Sequence, residues 1–469
     1  MDLEKKEPLP EADLDTSDNV SQVFLEKGDN VSQVFLEKGD NVSQVFLEKK
    51  EDTVPEGGWG WVCVLGRFYT HFLLLGSMSA FGIIYIELID YFHANRTEAA
   101  WVGSLAGGLS MFVGPLSGVM TERFGCRLTT MVGAIIASVA LFSSWFANGI
   151  VYLCITYGVI AGSGLGLMFI PSAVIIFQYF EKKRGFASAI GSTGGGIGAM
   201  VLPLVYTELI AAFGWRGTMW IISGLTLNAA VCGAVFRPPD YLKQRKVTRE
   251  VEDVNKNITR TRALQDFFCV FKDIRFSFFA LGTMFCYFGY GVPIVHMPDL
   301  ALQSGVNKDE VAYLLSIMGI VGVVLRIPVA WVSDFPWVSR TLILGIALLL
   351  CGVGTVLCPF LTSFPAFAMY SAVQGGCMGI WGAFLGVIVA DLVGLKYTNR
   401  GIGFLIFAGG VATIISSPLA GWMYDVTENY KASFFFAGVV YIASGGCTLV
   451  VFFIDYHNNR KASHKNNCT

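Results

Sequence analysis

Twelve apolar runs, each of roughly 18 residues or more, constrain the fold of this 469-residue chain more than any other feature. Runs of this length predict transmembrane helices, because a helix satisfies its own backbone hydrogen bonds inside lipid. The predicted spans cover residues 60–89, 99–120, 128–147, 150–180, 186–212, 218–236, 276–298, 311–332, 341–358, 364–390, 402–423 and 432–454. The predicted fold class is therefore an all-α polytopic membrane protein.

Composition and charge argue against the other classes. The chain is 54% hydrophobic and only 14% charged, so a soluble globule of this size would leave much apolar surface in water. A net charge of -2 gives no basic field for nucleic acid. The sequence also lacks the Gly-x-Ser-x-Gly, His-Glu-x-x-His and phosphate-loop motifs of common enzymes. We therefore expect neither an enzyme nor a cofactor or metal site.

The basic residues predict that both termini lie in the cytoplasm. In that orientation the inner loops and the C-terminal tail carry 21 of the 33 Lys and Arg residues, whereas the outer loops carry four. This is the bias of the positive-inside rule. On the outer side, Asn95-Arg96-Thr97 is a glycosylation sequon, which makes Asn95 a candidate for an N-linked glycan.

The chain also shows two levels of internal repetition. Three copies of an eleven-residue unit, DNVSQVFLEK followed by Gly or Lys, lie at the N-terminus. Such a period can support a helical supercoil, but the Gly-Asp-Asn at the junctions favours a turn, so we expect no fixed fold there. The predicted segments are a cytoplasmic tail at 1–55, a six-helix half at 56–236, a cytoplasmic linker at 237–275, a second six-helix half at 276–454 and a C-terminal tail at 455–469.

The two halves resemble each other at the loops that follow the second and eighth spans. The first loop, from Gly118 to Arg127, is similar to the cytoplasmic Gly-x-x-x-Asp-Arg-x-Gly-x-Arg motif of the major facilitator superfamily. Two six-helix halves related by parallel duplication are expected for that fold. The resemblance implies a conformational latch at the cytoplasmic helix ends, formed by Glu122, Arg123, Arg127 and Asp334. The alternative is a charged loop that only stops membrane transfer.

The opening of the first span resembles the monocarboxylate transporter family, which begins this helix with acidic-Gly-Gly-aromatic-Gly-Trp. The matching residues are Glu56, Gly57, Gly58, Trp59, Gly60 and Trp61. Further similar segments run from Tyr179 to Ala187, from Phe213 to Gly217 and from Gly421 to Asp425.

The resemblance to this family implies a multi-pass plasma-membrane transporter of small carboxylated solutes, working within lipid by symport or uniport. Some family members need a single-span glycoprotein partner. Carriers of aromatic amino acids, creatine or carnitine-like substrates are the alternative, and a transporter-like receptor that moves no solute is a further one.

Two arginines lie inside predicted spans, where ionisable groups are costly and mark functional sites by default. Arg326 matches the family's eighth-span arginine that binds the substrate carboxylate; its alternative is snorkelling to the cytoplasmic surface. For Arg67 we favour snorkelling over a polar cluster that faces the cavity. The other predicted substrate-binding residues are Ser79, His71, Tyr290 and Phe384.

The chain departs from proton-coupled members of the family at two positions. Ser79 stands where they have a lysine, and Gly322 stands where they have an aspartate. No carboxylate lies in the middle of a predicted span, so facilitated diffusion, or coupling by another route, is expected. Without the lysine, an amphoteric or larger carboxylated substrate is favoured over lactate.

Overall fold

The computed structural model describes residues 20–25, 32–39, 42–47, 56–239, 273–332, 335, 338–394 and 398–466. The chain forms two units, residues 1–54 and residues 55–469, and each is described by itself.

The first unit contains a three-stranded antiparallel sheet. Its strands, Val20–Leu25, Ser32–Gly39 and Val42–Leu47, come from the three sequence repeats and pair in chain order. The sequence predicts a tail without a fixed fold, whereas the structure pairs these segments. Each strand contains the Val-Phe-Leu run of the repeat, and valine and phenylalanine favour extended backbone.

The described elements of the second unit are all helices. In chain order the helices are Trp59–Phe92, Arg96–Phe112, Gly114–Ser143, Ile150–Leu153 with its continuations Cys154–Ala161 and Gly162–Tyr179, Arg184–Val235, Ile274–Gln303, Lys308–Val332, Arg340–Leu357, Phe364–Val393, Thr398–Thr427 and Lys431–Asn466. Short 3-10 turns at Ser144–Phe146 and Cys358–Phe360 follow two of them.

Two glycines divide the helices Gly114–Ser143 and Arg184–Val235 into separate membrane passes. Gly125 and Gly214 have φ values of 84° and 68°, a backbone conformation that L side chains rarely adopt. They separate the second span from the third and the fifth span from the sixth. By length and composition nine of the described helices qualify as spans, and one of these, Gly185–Val235, holds both the fifth and the sixth. The predicted all-α polytopic fold is confirmed for the second unit.

The buried apolar residues show where the two halves touch. We call the end of the bundle near Phe92 the outer end, following the orientation that the basic residues predict. One apolar cluster near this end contains residues of both halves, among them Tyr85, Met297 and Leu315. Toward the inner end the clusters are separate: one contains Cys63 and other first-half residues, and another contains second-half residues only. The halves therefore pack together toward the outer end.

Candidate functional site

A cavity of about 320 Å³ lies between the two halves. It is lined by side chains of the first, second, fourth and fifth spans of one half and of the seventh, eighth, tenth and eleventh spans of the other. Four of the five residues that the sequence predicts for substrate binding line it, namely His71, Ser79, Tyr290 and Arg326. Apolar and aromatic side chains, including Tyr287 and Trp381, form most of the remaining wall.

The fifth predicted residue, Phe384, lies away from this cavity, so its assignment is corrected. Its side chain is only 1% exposed and belongs to the apolar core of the second half, with Phe276 and Ile388. Trp381 and Leu385 of the same helix line the cavity, so helical periodicity alone does not separate Phe384 from it; the side chain is instead taken up by the apolar core.

Arg326 is the central charged group of the cavity. Its Nε is buried and has no hydrogen-bond partner among the described residues. The guanidinium group lies against Gly382, where an added Cβ would come within 2.5 Å of Nη2. None of the described residues that line the cavity is Asp or Glu. Among the described residues the guanidinium therefore has no counter-charge on the cavity wall, and its Nε–H remains free for an anion.

The two departures from proton-coupled relatives also lie on the cavity wall. At Gly322 the eighth span packs closely on the tenth: an added Cβ would lie 3.0 Å from the Gly375 carbonyl oxygen. The Gly322 carbonyl oxygen lies 2.2 Å from where a Cβ on Gly379 would be. A side chain at position 322 would require the backbone near Gly375 to move by a few tenths of an ångström. Ser79 Oγ donates to the Ala199 carbonyl oxygen over 3.4 Å.

Arg67 and His71 form a second polar group on the first span. Arg67 is only 7% exposed, and its Nε and Nη1 are buried without a described partner, so the snorkelling interpretation is wrong. Its side chain packs on Gly191, where an added Cβ would lie 2.7 Å from Arg67 Cδ. His71 lines the cavity one helical turn further on; its Nδ1 is also unpartnered, and its ring lies 4.9 Å from that of Phe169.

Charged residues of opposite halves pair at the outer end. Arg96 Nε donates to Asp299 Oδ2 over 2.8 Å, and the Tyr430 hydroxyl donates to the same carboxylate. Lys308 forms an ion pair with Glu87 at 2.5 Å. The first- and second-half members of these pairs are about 200 residues apart in the chain. We call this set of contacts the outer seam.

Asp425 extends the outer seam to the backbone of the second span. The N-cap residue of that helix, Asn95, makes no side-chain capping bond. Instead Asp425, from the other half, accepts hydrogen bonds from the Arg96 and Thr97 backbone N–H groups over 3.1 and 3.0 Å. The Thr97 hydroxyl donates to Asp425 as well. A carboxylate at a helix N-terminus satisfies free N–H groups and interacts favourably with the helix dipole.

The motif that opens the first span holds the inner end of the first half together. Glu56 accepts hydrogen bonds from the backbone N–H groups of Glu181, Lys182 and Lys183, just before the helix of the fifth span begins. The Lys182 N–H contributes most to holding the pKa of Glu56 below its ordinary value of 4.5. Trp61 packs edge-on against Phe180, with ring centroids 5.1 Å apart. Two of the family segments of the first half, the opening motif and the segment from Tyr179 to Ala187, therefore touch.

Sequence and fold comparisons agree with this geometry. The Major Facilitator Superfamily model matches residues 68–279 and 279–467. Monocarboxylate transporter 12 of Xenopus laevis is 31% identical over 82% of this chain and 87% of its own length. The chain belongs to the monocarboxylate transporter family. Human monocarboxylate transporter 14 is 28% identical over 82% of this chain and 89% of its own.

Solved structures show the same fold at low sequence identity. A crystal structure of a POT peptide transporter with sulfate superimposes with a TM-score of 0.68, at 14% identity over 87% of this chain and 97% of that chain. A POT family transporter with 5-aminolevulinic acid gives a TM-score of 0.65, at 14% identity over 83% and 95% of the two chains. This member of the monocarboxylate transporter family therefore has the fold of membrane transporters, and its relatives are transporters rather than enzymes.

In this transporter three of the four predicted latch residues lie at the inner end. Glu122, Arg123 and Arg127 are exposed, and none forms an ion pair with another described residue; Asp334 lies outside the described residues. The second half has a related pair, in which Arg340 Nη1 donates to Asp391 Oδ2 over 2.9 Å. The latch stays a prediction.

The glycosylation candidate Asn95 is exposed at the start of the second span, with its side chain free of a capping bond. The outer seam was missed by sequence reasoning, although Arg96, Asp299 and Asp425 all lie near span ends. Their positions gave a signal that these charges share one membrane face, but not which charge meets which.

Proposed function

We propose that this protein carries a small carboxylated solute across the plasma membrane by alternating access, with the substrate carboxylate held by Arg326. The observation that carries the proposal is an arginine with a buried, unpartnered Nε on the wall of an inter-half cavity. A planar guanidinium offers paired N–H donors that match a carboxylate. An arginine that has no counter-charge among the described residues is stabilised when an anion enters.

Alternating access is supported by the difference between the two ends of the bundle. At the outer end Arg96 and Asp299 join the halves. At the inner end Arg275 pairs with Asp455, and Arg340 pairs with Asp391, all within the second half. A substrate in the cavity would reach the outer side only after the outer seam opens. Both termini lie in the cytoplasm in this proposal.

We further propose that transport does not require a proton gradient. The cavity wall carries no described Asp or Glu, and position 322, which lines the cavity, is a glycine. A titrating group that alternates between the two sides is the usual means of proton coupling. Facilitated diffusion follows, with the direction set by the substrate gradient.

The test is uptake of labelled carboxylates into cells at pH 6 and pH 7.5, by wild type and two variants at matched surface expression. Arg326→Gln is expected to lower uptake at least tenfold, because one charge-assisted pair is lost. Arg326→Lys keeps the charge without the planar fork, so an intermediate loss is expected. Wild-type uptake should differ by less than about twofold between the two pH values. A proton-coupled carrier would instead respond to the proton concentration, which is about 30-fold higher at pH 6 than at pH 7.5.

Unchanged carboxylate uptake by Arg326→Gln would contradict the role of Arg326. Strong stimulation at pH 6 that requires Arg326 would contradict the uncoupled mechanism.

A further inference from the structure

A smaller pocket of about 80 Å³, the adjoining pocket, continues the inter-half cavity toward the outer end. The two spaces share part of their wall, which is formed by Leu75, Met78, Met111, Tyr290 and Ile294. Side chains of the first, second, fourth, seventh and eleventh spans enclose the adjoining pocket. A water molecule needs roughly 10–15 Å³ of such space, so the pocket has room for several non-hydrogen atoms of a bound solute.

Ser104 gives this pocket a free hydrogen-bonding group. The residue lines the pocket and is 3% exposed, and its Oγ has no hydrogen-bond partner among the described residues. Other hydroxyl groups of the wall have partners: Ser77 Oγ accepts from the Tyr206 hydroxyl over 3.5 Å, and Thr413 Oγ1 donates to the Gly409 carbonyl oxygen over 2.9 Å. A buried hydroxyl without a partner is costly, and it can both donate and accept. A polar group of a bound solute would therefore pair with Ser104.

The wall of the adjoining pocket selects against a second charge. None of the described residues that line it is Asp, Glu, Lys, Arg or His, so an amine or a further carboxylate would be buried there without a counter-charge. The rings of Phe81 and Tyr157, with centroids 5.7 Å apart, add apolar surface. Of the two substrate classes that the sequence favours over lactate, the larger carboxylate fits this wall and the amphoteric one does not.

The depth of Ser104 sets the length of a solute that could reach it from Arg326. Arg326 is 18 residues from the outer start of the eighth span at Lys308, and Ser104 is eight residues from the outer start of the second span at Arg96. At a rise of 1.5 Å per residue their Cα atoms are about 15 Å apart along the bundle axis, and the arginine side chain spans part of this gap. A solute of three or four carbons held by Arg326 is too short to reach Ser104, whereas a longer one can follow the shared wall.

We propose that the substrate is an elongated monocarboxylate, with its carboxylate on Arg326 and an uncharged hydroxyl or carbonyl group near its far end paired with Ser104. This inference rests on the proposed function, because it takes Arg326 as the carboxylate anchor. Ser104 then determines specificity. A site built to hydrogen-bond a polar group of its substrate rejects the analogue that lacks this group, since the buried hydroxyl is left unpaired.

The experiment compares ω-hydroxy carboxylates of four, six, eight and ten carbons with the unsubstituted straight-chain acids of the same length. Apparent Kd values are obtained from the ligand-induced rise in melting temperature of the purified full-length protein. For wild type, the hydroxy acid is expected to bind about three- to tenfold more tightly than its parent acid at one of the longer chain lengths, the usual effect of one neutral hydrogen bond. At four carbons no such preference is expected.

Variants then assign the preference to Ser104. Ser104→Ala should raise the Kd of the preferred hydroxy acid about three- to tenfold and leave that of the parent acid within about twofold. Ser138→Ala is the matched control: Ser138 is also buried, but its Oγ donates to the Ser223 carbonyl oxygen over 2.9 Å, and it lines neither space. The control should keep the preference. Without ligand, Ser138→Ala should melt below wild type, whereas Ser104→Ala should not, because it removes no described hydrogen bond.

The outcomes separate the two proposals. Equal binding of hydroxy and parent acids at every length, or a preference that survives Ser104→Ala, overturns the role of Ser104 while carboxylate binding at Arg326 stands. A lower melting temperature of ligand-free Ser104→Ala also overturns it, since the hydroxyl would then have a structural partner. If no acid binds wild type, or if Arg326→Gln binds every acid as tightly as wild type, the proposed function itself fails.

Discussion

Glu56 and Asp425 do the same chemistry at opposite ends of the molecule. Each is a carboxylate that accepts hydrogen bonds from backbone N–H groups at or just before the start of a helix. In both helices the N-cap side chain itself makes no capping hydrogen bond. Glu56 joins the start of the first span to the loop before the fifth, within one half. Asp425 joins the eleventh span to the second, between the halves.

This difference assigns the two carboxylates different roles. A contact within one half moves as part of a rigid body and survives the transport cycle, so Glu56 is expected to contribute to stability. A contact between halves has to break when the outer end opens, so Asp425 contributes to the balance between conformations. A ligand or a mutation shifts such a balance only by the difference in its free energy between the two states. The comparison can be tested by changing each carboxylate separately.

The largest effect is expected from Asp425→Asn. The change removes the negative charge that the Arg96 and Thr97 N–H groups contact, so the outer end should open more often. Ser104→Cys is a suitable reporter, because the Ser104 hydroxyl is buried without a described partner in an adjoining pocket of about 80 Å³. Labelling of this cysteine by a membrane-impermeant maleimide should speed up about tenfold, as expected for loss of charge-assisted hydrogen bonds.

The control for this experiment is Asp425→Asn without the reporter cysteine, which measures labelling of the native cysteines. Equal labelling rates with Asp425 and with Asn at this position would show that the outer seam does not set the conformational balance.

Glu56→Gln should instead lower stability. A neutral amide is a weaker acceptor for the Glu181 and Lys183 N–H groups, so the purified protein should melt a few degrees lower in a thermal unfolding assay. Because Glu56 makes these contacts within one half, labelling at Ser104→Cys should stay at the wild-type rate. A large change in labelling with no change in melting temperature would contradict the assignment of Glu56 to stability rather than to the conformational balance.

A smaller effect is expected from Arg127→Gln at the inner end. Arg127 is exposed and forms no ion pair with a described residue here, so its removal costs little in this conformation. If the predicted latch forms when the inner end closes, the variant loses a surface ion pair only in that state. Labelling of Ser104→Cys should then fall about two- to fivefold. Faster labelling would contradict a latch at this position.

The smallest effect is the pH dependence of the Glu56 contact. Its backbone hydrogen bonds lower the pKa of Glu56 below 4.5, so the stabilisation is fully present above pH 4.5 and is lost as pH falls through the lowered value. The melting-temperature difference between wild type and Glu56→Gln should be constant from pH 7.5 to pH 5.5 and should close below pH 4.5. A melting-temperature difference that grows on acidification would contradict a stabilising contact made by the ionised form of Glu56.

The sequence predicted cavity residues correctly where an ionisable residue lay inside a predicted span. Arg326 and His71 stand out because ionisable residues are rare inside spans, and both line the cavity. The prediction that Phe384 binds substrate was wrong, because an aromatic residue in an apolar helix does not indicate which face of the helix meets the cavity. For Arg67, the sequence gives the distance to the helix end, which suggested snorkelling. It does not show that Arg67 packs on Gly191, where the lack of a side chain leaves space for a buried arginine.

The outer seam was beyond sequence reasoning for a different reason. Arg96 and Asp299 are 203 positions apart, and their pairing depends on how the two halves pack. The role of Asp425 is hidden in the same way, since a carboxylate that caps a helix of the other half leaves no local pattern. The twelve spans, by contrast, follow from local composition alone.

The most direct test of the account is counterflow in proteoliposomes loaded with unlabelled carboxylate and diluted into labelled carboxylate. Transient accumulation of label requires that one cavity opens to both sides, which binding alone does not produce. Wild type should show this overshoot, and Arg326→Gln should show none. An equal overshoot by both proteins, or label bound by wild type without accumulation, would contradict transport through the Arg326 cavity.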